Sequence, residues 1–274
     1  MIPDARPDDP AFPRTVGVIG LGLIGGSLAL RLRAAGARVL GVDTDPAALA
    51  AAQRRGAIDE GGADPRVIAP ADVVIVATPL DQIVVVGVAA ARRMRAGTVL
   101  ADVGSVKAPI VSAMGRALPA GISFVGGHPM AGSEGSGMLA ADGALLEGKA
   151  FILTPSARSA PESVAVMEHM VGRIGMRPVI LDPVQHDELV AQASHLPYLL
   201  SLALVRAVAD DARSIAGPAL NDMTRAARSP ATMWAAICRD NRDAILRALA
   251  RYEAELGRLR RGLETGVIHE VLTR

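Results

Sequence analysis

Residues 15–25 read Thr-Val-Gly-Val-Ile-Gly-Leu-Gly-Leu-Ile-Gly, a short apolar run that leads into a glycine-rich turn. Its apolar run predicts a strand, and the Ala- and Leu-rich residues that follow Gly25 predict a helix. In the turn between them, Gly20 permits a tight bend, Gly22 lets the backbone approach a pyrophosphate, and Gly25 allows close helix–strand packing. A strand, this turn and a helix in that order are typical of a dinucleotide-binding unit.

Further short apolar runs alternate with segments that are long enough for crossover helices. Nearly continuous apolar runs are expected of strands that are buried on both faces of a sheet. We therefore predict an α/β fold, a Rossmann-type mostly parallel sheet with a C-terminal all-helical domain. The predicted strands are residues 16–19, 38–42, 73–77, 98–102, 122–125, 150–153 and 178–181.

Beyond residue 182 the sequence predicts only helices. One helix is expected over residues 186–209, with a kink at Pro197. A second long helix is expected to start with Ser229 as its N-cap and Pro230 as its first helical residue. The apolar residues of this second helix recur at helical spacing, which predicts one buried face: Met233, Ile237, Ile245, Leu249, Tyr252, Leu256, Leu259 and Leu263.

The predicted organisation is a flexible leader over residues 1–14, a dinucleotide-binding domain over 15–182 and a helical domain for substrate binding and dimerisation over 183–274. Helices in so short a segment cannot bury much surface by themselves, so we expect a homodimer through the helical domain. The alternative is that they pack only on their own sheet domain.

The composition excludes several classes of protein. The chain has 274 residues, 50% of them hydrophobic, with 29 Lys+Arg against 28 Asp+Glu. This balance is not that of a disordered chain, and it gives no reason to expect a nucleic-acid partner. The single cysteine, Cys238, cannot form an intrachain disulfide, and no Cys/His spacing predicts a metal site. With no predicted membrane span or signal peptide, we expect a cytoplasmic protein.

Further residues extend the predicted nucleotide site. Asp43 ends the second predicted strand, where its carboxylate can bind the adenosine ribose and repel a 2′-phosphate, which favours NAD over NADP. The alternative is a turn-forming aspartate, because Asp45 and Pro46 follow at once. Thr78 and Pro79 follow the third strand, where open α/β sheets bind ligands, although a simple turn is equally compatible. Leu23 and Ile24 complete this predicted set with Gly20, Gly22 and Gly25.

Two segments after later strands carry polar side chains that can reach a nicotinamide. Residues 102–107 read Asp-Val-Gly-Ser-Val-Lys, and residues 126–134 read Gly-Gly-His-Pro-Met-Ala-Gly-Ser-Glu. His128 is the distinctive member, because an unperturbed imidazole titrates at about pH 6.5 and can take a proton from an alcohol while hydride leaves.

These segments, with Ser-His-Leu-Pro-Tyr at residues 194–198 and Asp-Met-Thr-Arg at 222–225, closely resemble the prephenate/arogenate dehydrogenase family, the TyrA proteins of tyrosine biosynthesis. The resemblance covers about residues 15–265. It implies an NAD-dependent oxidative decarboxylation, in which hydride leaves C4 of prephenate, the ring carboxylate departs as carbon dioxide, and 4-hydroxyphenylpyruvate forms.

The resemblance also implies roles for individual residues. His128 would accept the proton of the C4 hydroxyl, and Ser105 would orient this histidine and contact the nicotinamide, although an N-cap serine is compatible with its position. Arg225 would bind a substrate carboxylate through its guanidinium, unless it is a surface residue. Glu134 and Asp222 match acidic positions that pair with such an arginine.

At three other positions, two interpretations of the residue remain open. His195 either lines the site, as the resemblance implies, or is a core histidine. Trp234 matches an aromatic residue near the family's site, and a plain core aromatic is the alternative. Lys107 either takes part in the site or is a solvated charge on a helix.

The sequence departs from the family pattern at two positions. Tyr198 stands where many prephenate-using relatives have a second histidine, and Asn221 stands where an arginine is common. A neutral tyrosine does not repel an ammonium group as a protonated histidine would. Arogenate dehydrogenase, or a dual cyclohexadienyl dehydrogenase, therefore remains the alternative.

Two other classes of protein compete with this interpretation. A β-hydroxyacid dehydrogenase needs a catalytic lysine in the helical domain, whereas Lys107 and Lys149 both precede it. The second competing class is an NAD-binding sensor that catalyses no reaction. We also expect no fused chorismate mutase or ACT domain, so any tyrosine inhibition would act at the active site.

Overall fold

The computed structural model describes residue 9 and residues 11–273. Two compact units divide between His186 and Asp187, and the predicted domain boundary lies slightly before this point. The described part of the first unit contains the strands β1 (Thr15–Ile19), β2 (Arg38–Val42), β3 (Glu60–Gly62), β4 (Val73–Val76), β5 (Val99–Asp102), β6 (Ser123–Pro129), β7 (Ala150–Pro155) and β8 (Arg177–Ile180).

The eight strands form one sheet in the order β3-β2-β1-β4-β5-β6-β7-β8. All neighbours are parallel except β6 and β7, which pair antiparallel. The strand order reverses between β1 and β4, and open α/β sheets bind their ligands at the carboxyl ends of the strands beside such a reversal. The predicted Rossmann-type, mostly parallel sheet is thus confirmed.

Five long helices cover the two faces of this sheet: α1 (Leu23–Ala34), α2 (Pro46–Arg54), α3 (Ile83–Ala91), α4 (Ala108–Ala117) and α5 (Pro161–Arg173). Each face carries its own apolar core. One is centred on Val18, Ile75 and Phe151, and the other on Leu40, Leu100 and Met114.

Two strands differ from the prediction. β3 was not expected, because Glu60-Gly-Gly62 offers no β-branched or apolar side chain. β6 was expected to end at residue 125 but continues to Pro129, so His128 lies within a strand. The glycines at 126 and 127 hid this extension. They are required there, since a Cβ on Gly127 would lie 2.4 Å from the carbonyl oxygen of Asp102.

The helical part of the chain is more divided than predicted. Its helices are α6 (Pro183–Val190), which contains the division between the units, α7 (Leu196–Ala207), α8 (Asp210–Ser214), α9 (Pro218–Thr224), α10 (Ala231–Asp240), α11 (Arg242–Thr265) and α12 (Ile268–Leu272). The short helices α8, α9 and α12 were not predicted, because so few residues show no helical periodicity.

The single helix expected over residues 186–209 is interrupted by a π-helical segment, Ala191–His195. Pro197 lies in the first turn of α7, where its missing N–H costs no helical hydrogen bond. The interruption of the helix therefore lies in this π-helical segment, directly before α7, and not at Pro197 itself.

The second long helix is also interrupted, at the buried Asn241 between α10 and α11. The predicted start was wrong by one residue. Pro230 is the N-cap residue and no side chain caps the helix, because Ser229 instead closes the preceding 3₁₀ turn through its N–H to Ala226.

Residues 1–8 and 10 of the predicted flexible leader lie outside the described residues. The remainder of the leader packs on the first unit. Phe12 is buried in the core beside Arg173, and Asp9 accepts a hydrogen bond of 2.7 Å from His169. The expectation of flexibility was therefore wrong for Phe12, whose aromatic ring fills a place in the apolar core.

Among the described helices, the stretch Pro183–Ala207 meets the length and composition of a membrane span, with 28% of its most apolar window buried. Core helices of soluble proteins meet the same criterion.

Candidate active site

The glycine turn has the geometry that a dinucleotide needs. Gly20 adopts φ +92°, and a Cβ there would lie 2.6 Å from the carbonyl oxygen of Ala77. A Cβ on Gly25 would lie 1.9 Å from the carbonyl oxygen of Gly20, so both positions require glycine. Gly22 is different, because a Cβ there would meet open space. The turn thus leaves an open cradle at its second glycine.

Helix α1 begins at this cradle. Gly22 is its N-cap residue and makes no side-chain cap, and Leu23 and Ile24 form its first turn. The positive end of the helix dipole and its backbone N–H groups therefore face the cradle, which is the usual site for a phosphate group.

Asp43 lies half-buried at the end of β2 and holds the turn. Its carboxylate accepts hydrogen bonds from the N–H of Leu21 at 2.7 Å and from the N–H of Asp45 at 2.9 Å. A carboxylate has about four lone-pair positions, so these two bonds leave capacity for ribose hydroxyls. The turn-forming role and the ribose-binding role that the sequence posed as alternatives are therefore compatible.

Thr78 follows β4 directly beside the turn, with its backbone N–H group 3.0 Å from the position of a Cβ on Gly20. Its hydroxyl is buried and has no hydrogen-bond partner among the described residues. Buried hydroxyls are normally hydrogen-bonded, so this group fits a bound ligand. Pro79 caps the following 3₁₀ turn. The open cradle and the unsatisfied hydroxyl together fit a dinucleotide.

A buried ion pair lies at the end of β5. The ammonium group of Lys107 contacts Asp102, and both side chains are inaccessible to solvent. Lys107 also donates to the carbonyl oxygen of Gly127 at 2.8 Å, while Asp102 accepts from the N–H of Gly127 at 3.1 Å. The solvated-charge interpretation of Lys107 was wrong, because these partners all lie inside the unit.

The same carboxylate also fixes the loop that carries Ser105. The N–H of Gly104 donates to Asp102 at 2.8 Å. Ser105 itself is half-buried and lies three residues before α4, whose N-cap residue is Lys107. The N-cap interpretation of Ser105 is therefore excluded.

His128 is 8% exposed and lies near the carboxyl end of β6. Its Nδ1 is 2.9 Å from Nε2 of His186, which is wholly buried in the same unit. The two ring centroids are 5.1 Å apart at an interplanar angle of 66°. Glu134 follows on an exposed loop of this unit.

Aromatic side chains gather in the helical unit. The rings of Tyr198 and Trp234 stack at 3.8 Å with an interplanar angle of 3°, and His195 meets Trp234 edge-on at 5.9 Å. Nδ1 of His195 is 3.1 Å from Nδ2 of Asn241. The indole N–H of Trp234 is buried without a hydrogen-bond partner among the described residues. Burial raises the pKa of the Tyr198 phenol, so this ring is neutral at ordinary pH.

Asp222 and Arg225 are neighbours on the helical unit. Asp222 lies on α9 and Arg225 begins the 3₁₀ turn that follows it, and both side chains are exposed. This turn is anchored by the N–H of Ala227, which donates to the hydroxyl of Ser201 on α7 at 2.9 Å. Exposure of a guanidinium on an anchored turn suits the binding of an anion.

Sequence reasoning missed His186, Asp102 and Asn241. His186 stands in no recognisable motif, and its pairing with His128 depends on contacts between distant segments. From the sequence, Asp102 was considered only as the first residue of the 102–107 segment. In the structure its carboxylate contacts the ammonium group of Lys107, five residues later. Among the described residues, no group of three His, Cys, Asp or Glu side chains could hold a metal ion.

A Rossmann-type sheet with an open phosphate cradle after β1, and a buried histidine on β6, three strands along the sheet, define a dinucleotide-dependent dehydrogenase. Comparison with known proteins narrows this class. The prephenate dehydrogenase nucleotide-binding domain matches residues 28–180, and the prephenate dehydrogenase dimerization domain matches residues 182–273. The chain belongs to the prephenate dehydrogenase family.

Individual relatives agree with this assignment. Prephenate dehydrogenase of Bacillus subtilis is 33% identical over 91% of this chain and 70% of its own length. The Aquifex aeolicus prephenate dehydrogenase structure with hydroxyphenyl propionate and NAD+ has a TM-score of 0.87 at 27% identity, over 95% of this chain and 94% of that one. The Synechocystis arogenate dehydrogenase structure has a TM-score of 0.83 at 28% identity, over 94% and 96%.

Proposed function

We propose that this protein catalyses the NAD-dependent oxidative decarboxylation of prephenate to 4-hydroxyphenylpyruvate. The observation that carries the proposal is the placement of His128, which is buried at the carboxyl edge of the sheet with one ring nitrogen held by a second histidine. In a member of this family, such a residue supplies the single base that the reaction requires.

His128 takes the proton of the C4 hydroxyl. When bound, NAD accepts the hydride that leaves C4. The C1 carboxylate departs as carbon dioxide, and its bonding electrons complete the aromatic ring and pass to the C4 oxygen, which takes the proton back from His128 as the phenol forms. No net proton is released. Because aromatisation drives the reaction, the protein mainly has to position the substrate and to hold and return one proton.

The residues of the glycine turn hold the cofactor. Gly22 and the first turn of α1 face the pyrophosphate, and Asp43 binds the adenosine ribose, which favours NAD because a carboxylate repels a 2′-phosphate. The unpartnered hydroxyl of Thr78 and the neighbouring Pro79 contribute further contacts. Ser105 orients His128 and faces the nicotinamide, on a loop that Asp102 holds in place.

Arg225 binds a carboxylate of the dianionic substrate, its neighbour Asp222 tunes this guanidinium, and Glu134 is a further acidic residue that we assign to substrate binding. The support is chemical, since a guanidinium matches a carboxylate with two parallel hydrogen bonds. Arg225 lies on the turn that Ser201 anchors, so its backbone is fixed before substrate arrives.

Arogenate dehydrogenase, or dual cyclohexadienyl dehydrogenase activity, is the second candidate, and Tyr198 favours it. A neutral phenol stacked on Trp234 can donate to the keto oxygen of prephenate and carries no charge to repel the ammonium group of arogenate. His195 and Tyr198 would together contact the substrate side chain.

We infer that the protein is a homodimer through its helical unit. The described part of this unit has a small apolar core cluster, Ala191, Ala244, Ile245 and Ala248. Tyr252, Leu256, Leu259 and Leu263 recur along one face of α11, and all four are exposed. A second copy would cover this face. We also infer a cytoplasmic protein, in keeping with its single thiol, Cys238, and a soluble dinucleotide cofactor.

Initial rates at 340 nm test the proposal, with prephenate and arogenate offered separately and NAD and NADP compared. Turnover of prephenate with NAD is expected. A clear preference for arogenate would instead support the second candidate. Turnover of neither substrate would contradict both and leave an NAD-binding sensor as the better account.

A further inference from the structure

The contact between His128 and His186 fixes which nitrogen of His128 is available for chemistry. The two nitrogens that face each other are Nδ1 of His128 and Nε2 of His186, at 2.9 Å. His128 is 8% exposed and His186 is 0% exposed, so bulk water does not compete for this contact. Because Nδ1 of His128 faces His186, a role as the base falls to the other ring nitrogen, Nε2.

We propose that His186 is a positioning residue that holds His128 in the Nδ1–H tautomer. In this arrangement the Nδ1–H of His128 donates to Nε2 of His186, which carries its own proton on Nδ1. Nε2 of His128 then presents a lone pair. In the reverse arrangement His186 donates, the proton of neutral His128 sits on Nε2, and the ring cannot act as a base there.

The backbone around His186 is built to hold the ring still. Asp182 caps the start of α6 by accepting from the N–H of Val184 at 2.8 Å and of Gln185 at 3.1 Å. The N–H of His186 donates to the carbonyl oxygen of Asp182 at 2.8 Å. The partner ring is equally fixed, because His128 lies in β6 directly after Gly127, whose backbone is bonded to the buried Asp102–Lys107 pair.

This inference rests on the proposed role of His128 as the base. It differs from that role because it assigns the tautomer, and the tautomer can be observed without turnover. Long-range ¹H–¹⁵N correlation spectra of the full-length protein with NAD distinguish a protonated ring nitrogen from a ring nitrogen that carries a lone pair.

The experiment compares the wild-type protein with His186→Phe, which keeps a ring but removes the acceptor, and His186→Gln, whose amide oxygen keeps an acceptor near the position of Nε2. His169→Gln, a partly exposed histidine of the same unit, is the matched control. We expect wild-type His128 to be protonated at Nδ1, and His186→Phe to give a mixture of tautomers.

For kcat with prephenate, His186→Phe should cause a loss of about 10- to 100-fold, the usual range for a supporting hydrogen-bond partner. KM should change little, because His186 does not bind substrate. His186→Gln should retain most of kcat. Where His186→Phe does not fold, His186→Asn, whose amide is too short to reach His128, takes its place.

A wild-type His128 protonated at Nε2 would overturn the inference, as would unchanged tautomers and unchanged kcat in the acceptor-free variant. If wild-type protein turned over neither prephenate nor arogenate, the proposed function would fail, whereas the spectra would still decide the role of His186.

Discussion

Lys107 and Asp102 form an ion pair that is closed to solvent, and each also bonds the backbone of Gly127, directly before His128. A buried pair of charges gains little over apolar side chains of similar size, because both ions lose their hydration. Its value here is geometric, since it ties the end of β5 to β6 on one side and to the loop of Ser105 on the other.

Lys107→Met should destabilise the protein by about 3–5 kcal/mol, because it leaves the carboxylate of Asp102 buried without its cation. Denaturant unfolding measures this change. Lys149→Met is the matched control, since Lys149 is the other lysine and is exposed. Its effect should stay within about 0.5 kcal/mol. Equal stability of the two variants would show that the Asp102–Lys107 pair does not support the fold.

Arg225→Ala should raise KM for prephenate by about 10- to 100-fold with a much smaller effect on kcat, as expected when one charge-assisted contact to the substrate is lost. Steady-state kinetics measure both constants. Arg228→Ala, at the other end of the same exposed turn, should leave KM close to the wild-type value. An unchanged KM in Arg225→Ala would mean that the substrate carboxylate binds elsewhere.

Tyr198→His should shift the ratio of kcat/KM values toward prephenate by about tenfold or more, because a histidine that becomes protonated repels the ammonium group of arogenate. The shift should be larger at pH 6 than at pH 8, since protonation of an ordinary imidazole falls with rising pH. Competition between the two substrates measures the ratio directly. A ratio that does not change would remove Tyr198 from substrate discrimination.

The double substitution Leu256→Asp and Leu263→Asp should convert the protein to monomers, because it places charges on the exposed apolar face of α11. Sedimentation equilibrium measures the mass in solution. Arg261→Asp, on the opposite face of the same helix, is the control and should remain dimeric. A wild-type protein that sediments as a monomer would contradict the inferred dimer.

Most of the sheet was predictable because its strands are continuous apolar runs. The glycine turn indicates a nucleotide site. The extension of β6 was not, since glycines carry no strand signal and are needed here only because Asp102 and Phe151 crowd Gly127. In the helical part, Asn241 interrupts a regular apolar pattern. Its side chain donates one hydrogen bond to the carbonyl oxygen of Asp187 and contacts His195, and neither interaction can be read from the hydrophobic periodicity.

Candidate site residues that belong to sequence motifs could be proposed from the sequence. Residues that come together only through contacts between distant segments could not. His128, Ser105 and Arg225 were proposed as site residues from motifs. The burial of Lys107 was not expected, because a lysine near a helix start is usually solvated and its burial requires a carboxylate in the adjacent strand. His186 depends on a contact between β6 and α6, which are far apart in sequence.

The most direct test of the account is kcat for prephenate, at saturating NAD, of His128→Asn against the wild-type protein. Unchanged NAD binding in the variant would confirm that it is folded. We predict a loss of about 10²- to 10⁴-fold, the usual contribution of one general base. A loss of less than tenfold would contradict the assignment of His128 as the base on which the proposed reaction depends.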